Sequence, residues 1–298
     1  MNMNMKFHYN SLSSYRKEID RLISEGISEL GEKSKLRDAC EYALLNGGKR
    51  FRPSIVFMVA KALNSDCDVR NAALSVEFFH TASLIADDLP CMDNDNTRRG
   101  KPSLHKEYGE TTAILASYAL IAAGYRNLYK STQACEKFFS RKCGDLCMLA
   151  LDNVTSNTGI NGAVGGQFLD IYPPDQKLDT LRRVTHTKTV TLYEMAFVLG
   201  WIFGGGSLNK LDLVKKGSWC FGMAFQIADD FGDAIEDRER GCETNFVVAL
   251  GEKKAKEVFQ GEISGFREAL KDLSLETTDF WELALFLEKK VEEVENTL

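Results

Sequence analysis

The chain has 298 residues, of which 44% are hydrophobic and 27% charged, and its formal net charge is −6. That balance is ordinary for a globular protein, and with no Ser/Gly/Pro-rich linker a single domain over 1–298 is expected. The pI of about 5.4 argues against nucleic acid as the main partner, which needs a basic face.

No run reaches the roughly 18 apolar residues of a membrane helix. Met1 to Tyr9 carry no apolar core of signal-peptide length. The expected location is the cytoplasm. The eight cysteines (Cys40, Cys67, Cys91, Cys135, Cys143, Cys147, Cys220 and Cys242) are scattered without a Cys-x-x-Cys pair, so reduced thiols are expected. Cys143 and Cys147 read as two half-buried helix cysteines rather than a metal or redox pair.

Only five prolines occur, and the long stretches between them favour helices. Tyr15, Ile19, Leu22, Ile23, Ile27 and Leu30 make one apolar stripe at helical spacing. Helices are expected from about Ala72 to Ala86 and from about Ser218 to Ala228. The best strand candidate, Val184 to Leu192, fits a helix about as well. Phe280, Leu283, Leu287, Val291 and Val294 form a last stripe. Loops are expected near 31–34, 64–68, 94–104, 155–163, 172–178, 204–208 and 238–246. Gly204-Gly205-Gly206 lacks the Lys-Ser/Thr of a phosphate-binding loop and reads as a helix break. The fold class is all-α.

The expected helices each end in Ile-Ala-Asp-Asp: Ile85 to Asp88, with Asp93 and Asp95 close behind, and Ile227 to Asp230, followed by Asp233. Adjacent carboxylates repel, and those at a helix C-terminus face the negative end of the dipole, so they do not serve helix stability. Two such clusters read as two walls of a divalent-cation site, with phosphate oxygens completing the coordination. Asp229 and Asp233 share a face on a continuous helix. Asp87 and Asp93 do not, so Pro90 is expected to bend or end the helix at Leu89-Pro90-Cys91-Met92 and return Asp93 to the side of Asp87.

Two basic clusters complement the acids. Gly47-Gly48-Lys49-Arg50-Phe51-Arg52-Pro53 opens one helix, and Arg98-Arg99-Gly100-Lys101 follows the first acidic cluster. Glycines allow close backbone approach and guanidinium forks suit phosphate oxygens.

With these segments the chain resembles the polyprenyl diphosphate synthase family of trans-prenyltransferases. The matching motifs are the Gly47–Pro53 segment, His80, Asp87 to Asp93, Arg98 to Pro102, Gly165-Gly166-Gln167-Phe168-Leu169-Asp170, Lys188-Thr189 and Gln226 to Asp233. They stand in the family's order. The resemblance implies an isoprenoid-synthase-type helical bundle around a central cavity, a homodimer and Mg2+ dependence. The implied reaction adds isopentenyl diphosphate to an allylic diphosphate.

By the same resemblance Asp87, Asp88, Asp93, Asp229, Asp230 and Asp233 hold metal directly or through water. Arg98, Lys188 and Gln226 hold the allylic diphosphate. Gly48, Lys49, Arg52, His80 and Arg99 hold isopentenyl diphosphate. Thr189 and the Lys188 carbonyl stabilise the carbocation, and Gln167 and Asp170 line the cavity. His8, His105 and His186 receive no role.

The chain departs from the family pattern after the second acidic cluster. Gly241-Cys242-Glu243-Thr244-Asn245-Phe246 replaces a lysine-bearing loop, and Arg238 or Arg240 is the expected substitute. Ser117-Tyr118 replaces a frequent Gly-Asp. Product length is expected to follow Ala82 and Ser83, five and four positions before Asp87. Both are small, which points to geranylgeranyl diphosphate; Ala82→Phe is expected to shorten the product by about one unit. Tyr118 and Phe57 are the alternative floor residues. Competing readings are a farnesyl diphosphate synthase, a class I terpene cyclase and a non-catalytic partner subunit of another synthase.

Overall fold

The computed structural model describes residues 10–136, 138, 143–175, 177–240 and 244–295. The first apolar stripe forms α1 (Asn10–Gly26), which buries Ile19, Leu22 and Ile23. Ser34 caps α2 (Lys35–Leu45) by accepting a hydrogen bond from Arg37 N at 3.3 Å. The chain continues through α3 (Phe51–Ala62) and α4 (Arg70–Asp87). A minimal antiparallel hairpin follows, β1 (Thr97–Arg98) and β2 (Lys101–Pro102), with Thr97 opposite Pro102.

Next come α5 (Leu104–Tyr108), α6 (Glu110–Cys135), α7 (Cys143–Thr158), α8 (Ala163–Ile171) and α9 (Leu178–Thr185). A π-helical turn at His186–Val190 leads into α10 (Thr191–Phe203). The remainder is α11 (Leu211–Arg240), α12 (Phe246–Leu250), α13 (Glu252–Leu273) and α14 (Thr278–Glu295).

Every residue of α10 except Glu194 is buried. A helix that is apolar all round belongs in the middle of a bundle, and α10 packs against α3, α4, α7 and α11. That arrangement brings the end of α4 and the middle of α11 to the two sides of the start of α10. Helix α4 serves two apolar clusters. Val76 and Phe79 join α3, α10 and α11, while Leu74, Phe78, Ala82 and Ile85 join α1, α2 and α6.

Three expectations change. Helix α11 does not end at Ala228 but runs on to Arg240, because nothing after the second acidic cluster breaks it; an interior glycine such as Gly232 weakens a helix without ending it. Residues 155–158 are still helical. Val184 to Leu192 is helical throughout, in line with the all-α reading.

The third change concerns thiols. Cys67 and Cys135 form a disulfide, with Cα atoms 5.3 Å apart, so the all-reduced reading is corrected. Helices α4 and α6 run antiparallel, as shown by Ser75 Oγ donating to Gly124 O at 2.9 Å and Ser117 Oγ to Ala82 O at 3.0 Å. Their pairing brings the turn before α4 to the end of α6, across a sequence separation of 68. Cys143 and Cys147 are half-buried on α7, and Cys242 lies outside the described residues. No described helix is long and apolar enough to cross a membrane.

Candidate active site

The first acidic wall is built by the end of α4. The helix stops at Asp87, and a turn through Pro90 brings Asp93 N to within 2.9 Å of Asp87 O. Asp93 thus returns to the side of Asp87. Gln167 Nε2, on α8, donates to Asp93 Oδ1 at 3.1 Å. Lys188, in the π-turn, holds Asp170 at 2.5 Å and lies 4.0 Å from Asp93. Asp88 turns the other way: it is 3% exposed and accepts from Arg98, which also reaches Asp95 at 3.0 Å.

Close packing of α8 makes this arrangement possible. A Cβ on Gly166 would fall 2.2 Å from Lys188 N, so only glycine lets Gln167 and Asp170 meet the π-turn. The π-turn in turn shifts the helical register at Lys188 and Thr189. Thr189 Oγ1 donates to Gln226 Oε1 at 2.9 Å, across to α11.

The second wall is mid-helix. Asp229 and Asp233 lie one turn apart on α11, and Asp229 pairs with Lys290 of α14. Asp230 faces away from them. Its Oδ1 accepts from Gln226 Nε2 at 2.8 Å and its Oδ2 from Phe246 N at 2.7 Å. Asn245 caps α12 through Val247 N at 2.8 Å and donates to Asp230 O at 3.0 Å. Asp230 Oδ2 therefore fastens α12 to α11, while Oδ1 is held by Gln226 within α11.

The basic segment divides its cations. Arg50, at φ 54, is buried and pairs with Glu77 and with Asp20 at 2.9 Å. Its role is structural, joining α1, α3 and α4. Lys49 and Arg52 have no carboxylate partner among the described residues. Lys49 Nζ lies 5.8 Å from the Phe51 ring and 5.6 Å from that of Phe286, and Arg52 lies 4.3 Å over Tyr193. Arg52 Nη1 is 3.4 Å from His80 Nε2. Gly48, at φ +127, lets Arg99 lie against the backbone: a Cβ would sit 2.7 Å from its guanidinium carbon. Arg99 Nη1 donates to Gly47 O.

These groups meet in a cavity of about 570 Å³ whose walls include Lys49, Arg52, His80, Arg99, Gln226 and Asp229. Gly48, Arg98 and Thr189 also face it. Asp87, Asp93, Lys188, Gln167 and Asp170 stand beside it, joined through Lys188-Thr189. Buried polar atoms without partners lie around it: Arg52 Nε, His80 Nδ1 and Tyr193 Oη. A native interior rarely leaves such atoms unsatisfied unless function requires it. Burial pushes Asp87 up to about 7, with Lys188 pulling down and Asp93 adding to the rise. Burial likewise raises Asp230 to about 7. Burial and the surrounding arginines, Arg52 and Arg99 foremost, hold His80 well below the usual imidazole range, so it is neutral near pH 7.

Among the described residues no three His, Cys, Asp or Glu side chains converge tightly enough to enclose a metal ion. The oxygen donors are instead split between two walls. That suits a hard cation that keeps water or phosphate oxygens as its other ligands.

Ala82 and Ser83 separate. Ala82 packs in the cluster of α1, α2 and α6. Ser83 lies one turn before Asp87 on the same face, its hydroxyl donating to His80 O at 2.9 Å. Phe79, one turn further, meets Tyr125 edge-on at 5.0 Å. Tyr118 is 65% exposed on the outside of α6, and Phe57 stacks on Tyr15. Sequence reasoning missed Tyr193, Glu77 and Lys290. Only Tyr193 left a local signal, one turn after Thr189 on the same helical path.

The family model described as Polyprenyl synthetase matches residues 33–244. The chain is 33% identical over 270 residues to the large subunit 2 of a heterodimeric geranylgeranyl pyrophosphate synthase of Arabidopsis thaliana, covering 88% of this chain and 67% of that protein. It is 35% identical over 269 residues to a chloroplastic geranylgeranyl pyrophosphate synthase of Capsicum annuum, covering 86% and 70%. Among solved structures, an FPP/GFPP synthase of Zymomonas mobilis superposes with a TM-score of 0.79 at 30% identity, covering 94% of this chain and 97% of that one. A geranyltransferase of Legionella pneumophila gives 0.80 at 25% identity, covering 94% and 96%. The chain belongs to the polyprenyl synthetase family.

Proposed function

We propose that this prenyltransferase condenses isopentenyl diphosphate with allylic diphosphates, with geranylgeranyl diphosphate as its main product. The observation that carries this reading is one cavity with two unlike walls. Lys49 and Arg52 are cations without carboxylate partners among the described residues, and Asp229 faces them, so the two sides suit one diphosphate bound directly and another bound through metal.

Asp87 and Asp93 on one wall, and Asp229 and Asp233 on the other, would hold Mg2+. Asp88 and Asp230 would support them by orienting Arg98 and Gln226. Bound metal supplies neutralisation of the diphosphate as it leaves. Lys188 and Arg98 hold that diphosphate from the protein side. As the allylic C–O bond breaks, the Thr189 hydroxyl oxygen and the Lys188 carbonyl lie against the developing cation. Lys49, Arg52, neutral His80 and Arg99 hold isopentenyl diphosphate, whose double bond attacks the cation. A proton then passes to the departed diphosphate, so no protein base is needed.

Ser83 leaves room beneath Asp87, and Phe79 with Tyr125 lies a turn further down, which supports a product longer than farnesyl. The proposed assembly is a homodimer through α6, where Ile114, Tyr118 and Ile121 form an exposed apolar row at helical spacing. We read the chain as one catalytic domain working in the cytoplasm; the Capsicum relative is named as chloroplastic.

The test is a magnesium-dependent assay with isopentenyl diphosphate and dimethylallyl, geranyl or farnesyl diphosphate, with dephosphorylated products sized. A twenty-carbon product that vanishes with chelator is expected. A fifteen-carbon product would retain the chemistry and overturn the chain-length argument. No product with any primer would favour the non-catalytic subunit.

A further inference from the structure

The two cations of the basic wall that have no carboxylate partner among the described residues rest on a chain of touching aromatic rings. Phe286 and Phe51 lie 5.1 Å apart, Phe51 and Phe225 5.7 Å, and Phe225 and Tyr193 5.0 Å. Lys49 sits over its Phe286–Phe51 end and Arg52 over its Tyr193 end. Tyr193 is fully buried, and its ring also meets Phe221 edge-on at 5.0 Å. The platform cannot easily tilt.

Two residues away, Arg50 shows the alternative. It is fixed by Glu77 and Asp20, which neutralise it. A carboxylate under Arg52 would compete with any incoming diphosphate. An aromatic face attracts a guanidinium without neutralising it. With its guanidinium carbon 4.3 Å from the Tyr193 ring centre and Nη1 3.4 Å from His80 Nε2, Arg52 is placed between uncharged neighbours and keeps its full charge.

We propose that Tyr193 is a positioning residue for the metal-free diphosphate site: its ring holds the Arg52 guanidinium in place and unneutralised, ready for the anion. The ring, not the hydroxyl, does this. The inference rests on the reading of Arg52 as an isopentenyl diphosphate ligand.

The test is calorimetric titration of isopentenyl diphosphate into the full-length protein in EDTA, which removes metal-assisted binding. Tyr193→Leu and Tyr193→Met remove the face, and Tyr193→Phe keeps it. The first two should weaken binding about fivefold, and Tyr193→Phe should stay within about twofold of wild type. The KM for geranyl diphosphate, measured with magnesium, should hold within about twofold in every folded variant.

Unchanged affinity in the Leu and Met variants would overturn the proposal. So would an equal loss in Tyr193→Phe, which would assign the role to the hydroxyl. Parallel loss for both substrates would make Tyr193 merely structural and also overturn it. Arg52→Met separates this from the underlying reading. If it binds isopentenyl diphosphate as wild type does, the assignment of Arg52 fails; if it weakens binding while the Leu and Met variants do not, only the platform fails.

Discussion

Lys290, near the end of α14, forms an ion pair with Asp229 in the middle of α11, 61 residues earlier. Its stem passes over Gly232, where a Cβ would lie 3.5 Å from Lys290 Cε. The cation nearest the second acidic wall therefore comes from the C-terminal helix. Asn245 Nδ2 and Phe246 N both donate to Asp230 of α11. Arg238 is exposed, and the side chain of Arg240 lies outside the described residues. The pair is partly exposed, at 25% and 30%, so its contribution is about 1 kcal/mol. Lys290→Met should raise the KM for geranyl diphosphate about fivefold, while Arg238→Ala leaves it unchanged. The reverse pattern would return the role to the α11 end.

His80 predicts a pH dependence of stability. Burial, with Arg52 and Arg99, holds its pKa well below the usual 6.5. Below that value the unfolded chain takes up a proton that the folded protein refuses. Stability is then present above about pH 6.5 and is lost as pH falls below it. Between pH 7.5 and 5.5 the melting temperature of the wild type should drop further than that of His80→Gln. Equal drops would mean that His80 protonates in the fold without cost.

The Cys67–Cys135 disulfide can be counted. Of the eight cysteines, six should react with a thiol reagent in the denatured, unreduced protein and all eight after reduction. In the chain-entropy account a loop of this length stabilises the fold by about 4 kcal/mol, so Cys135→Ser should lower the unfolding midpoint. Eight reactive thiols before reduction would restore the all-thiol expectation.

The two small residues before Asp87 should behave differently. Ser83 shares the face of Asp87, so Ser83→Phe should shorten the main product by one five-carbon unit. Ala82 faces the packed α1, α2 and α6 cluster, so Ala82→Phe should destabilise by about 1–3 kcal/mol through overpacking. Sizing the products of both variants, alongside their melting temperatures, separates these effects. A shorter product from a fully stable Ala82→Phe protein would place the floor at Ala82.

Much of this was legible because it depends on short-range physics. Helical spacing marked α1 and α14, and Pro90 marked the turn that returns Asp93 to Asp87. What escaped depends on distant partners. Asp230 looks like Asp229 in sequence, yet Phe246 N and Gln226 claim its oxygens. Arg50 looks like Arg52, yet Glu77, a full helix away, captures it. Cys67 and Cys135 become neighbours only through the antiparallel packing of α4 on α6. The end of α11 was misplaced because an acidic pair resembles a helix terminus, whereas here the helix continues beneath it.

The most direct test of the account is product formation by Asp87→Asn and Asp229→Asn, one from each wall, beside isopentenyl diphosphate affinity in EDTA. If the two walls act as one metal–diphosphate site, either change alone should reduce turnover about a thousandfold while metal-free affinity stays within a few-fold of wild type. Near-normal turnover in either variant would contradict the account, since one wall would then suffice.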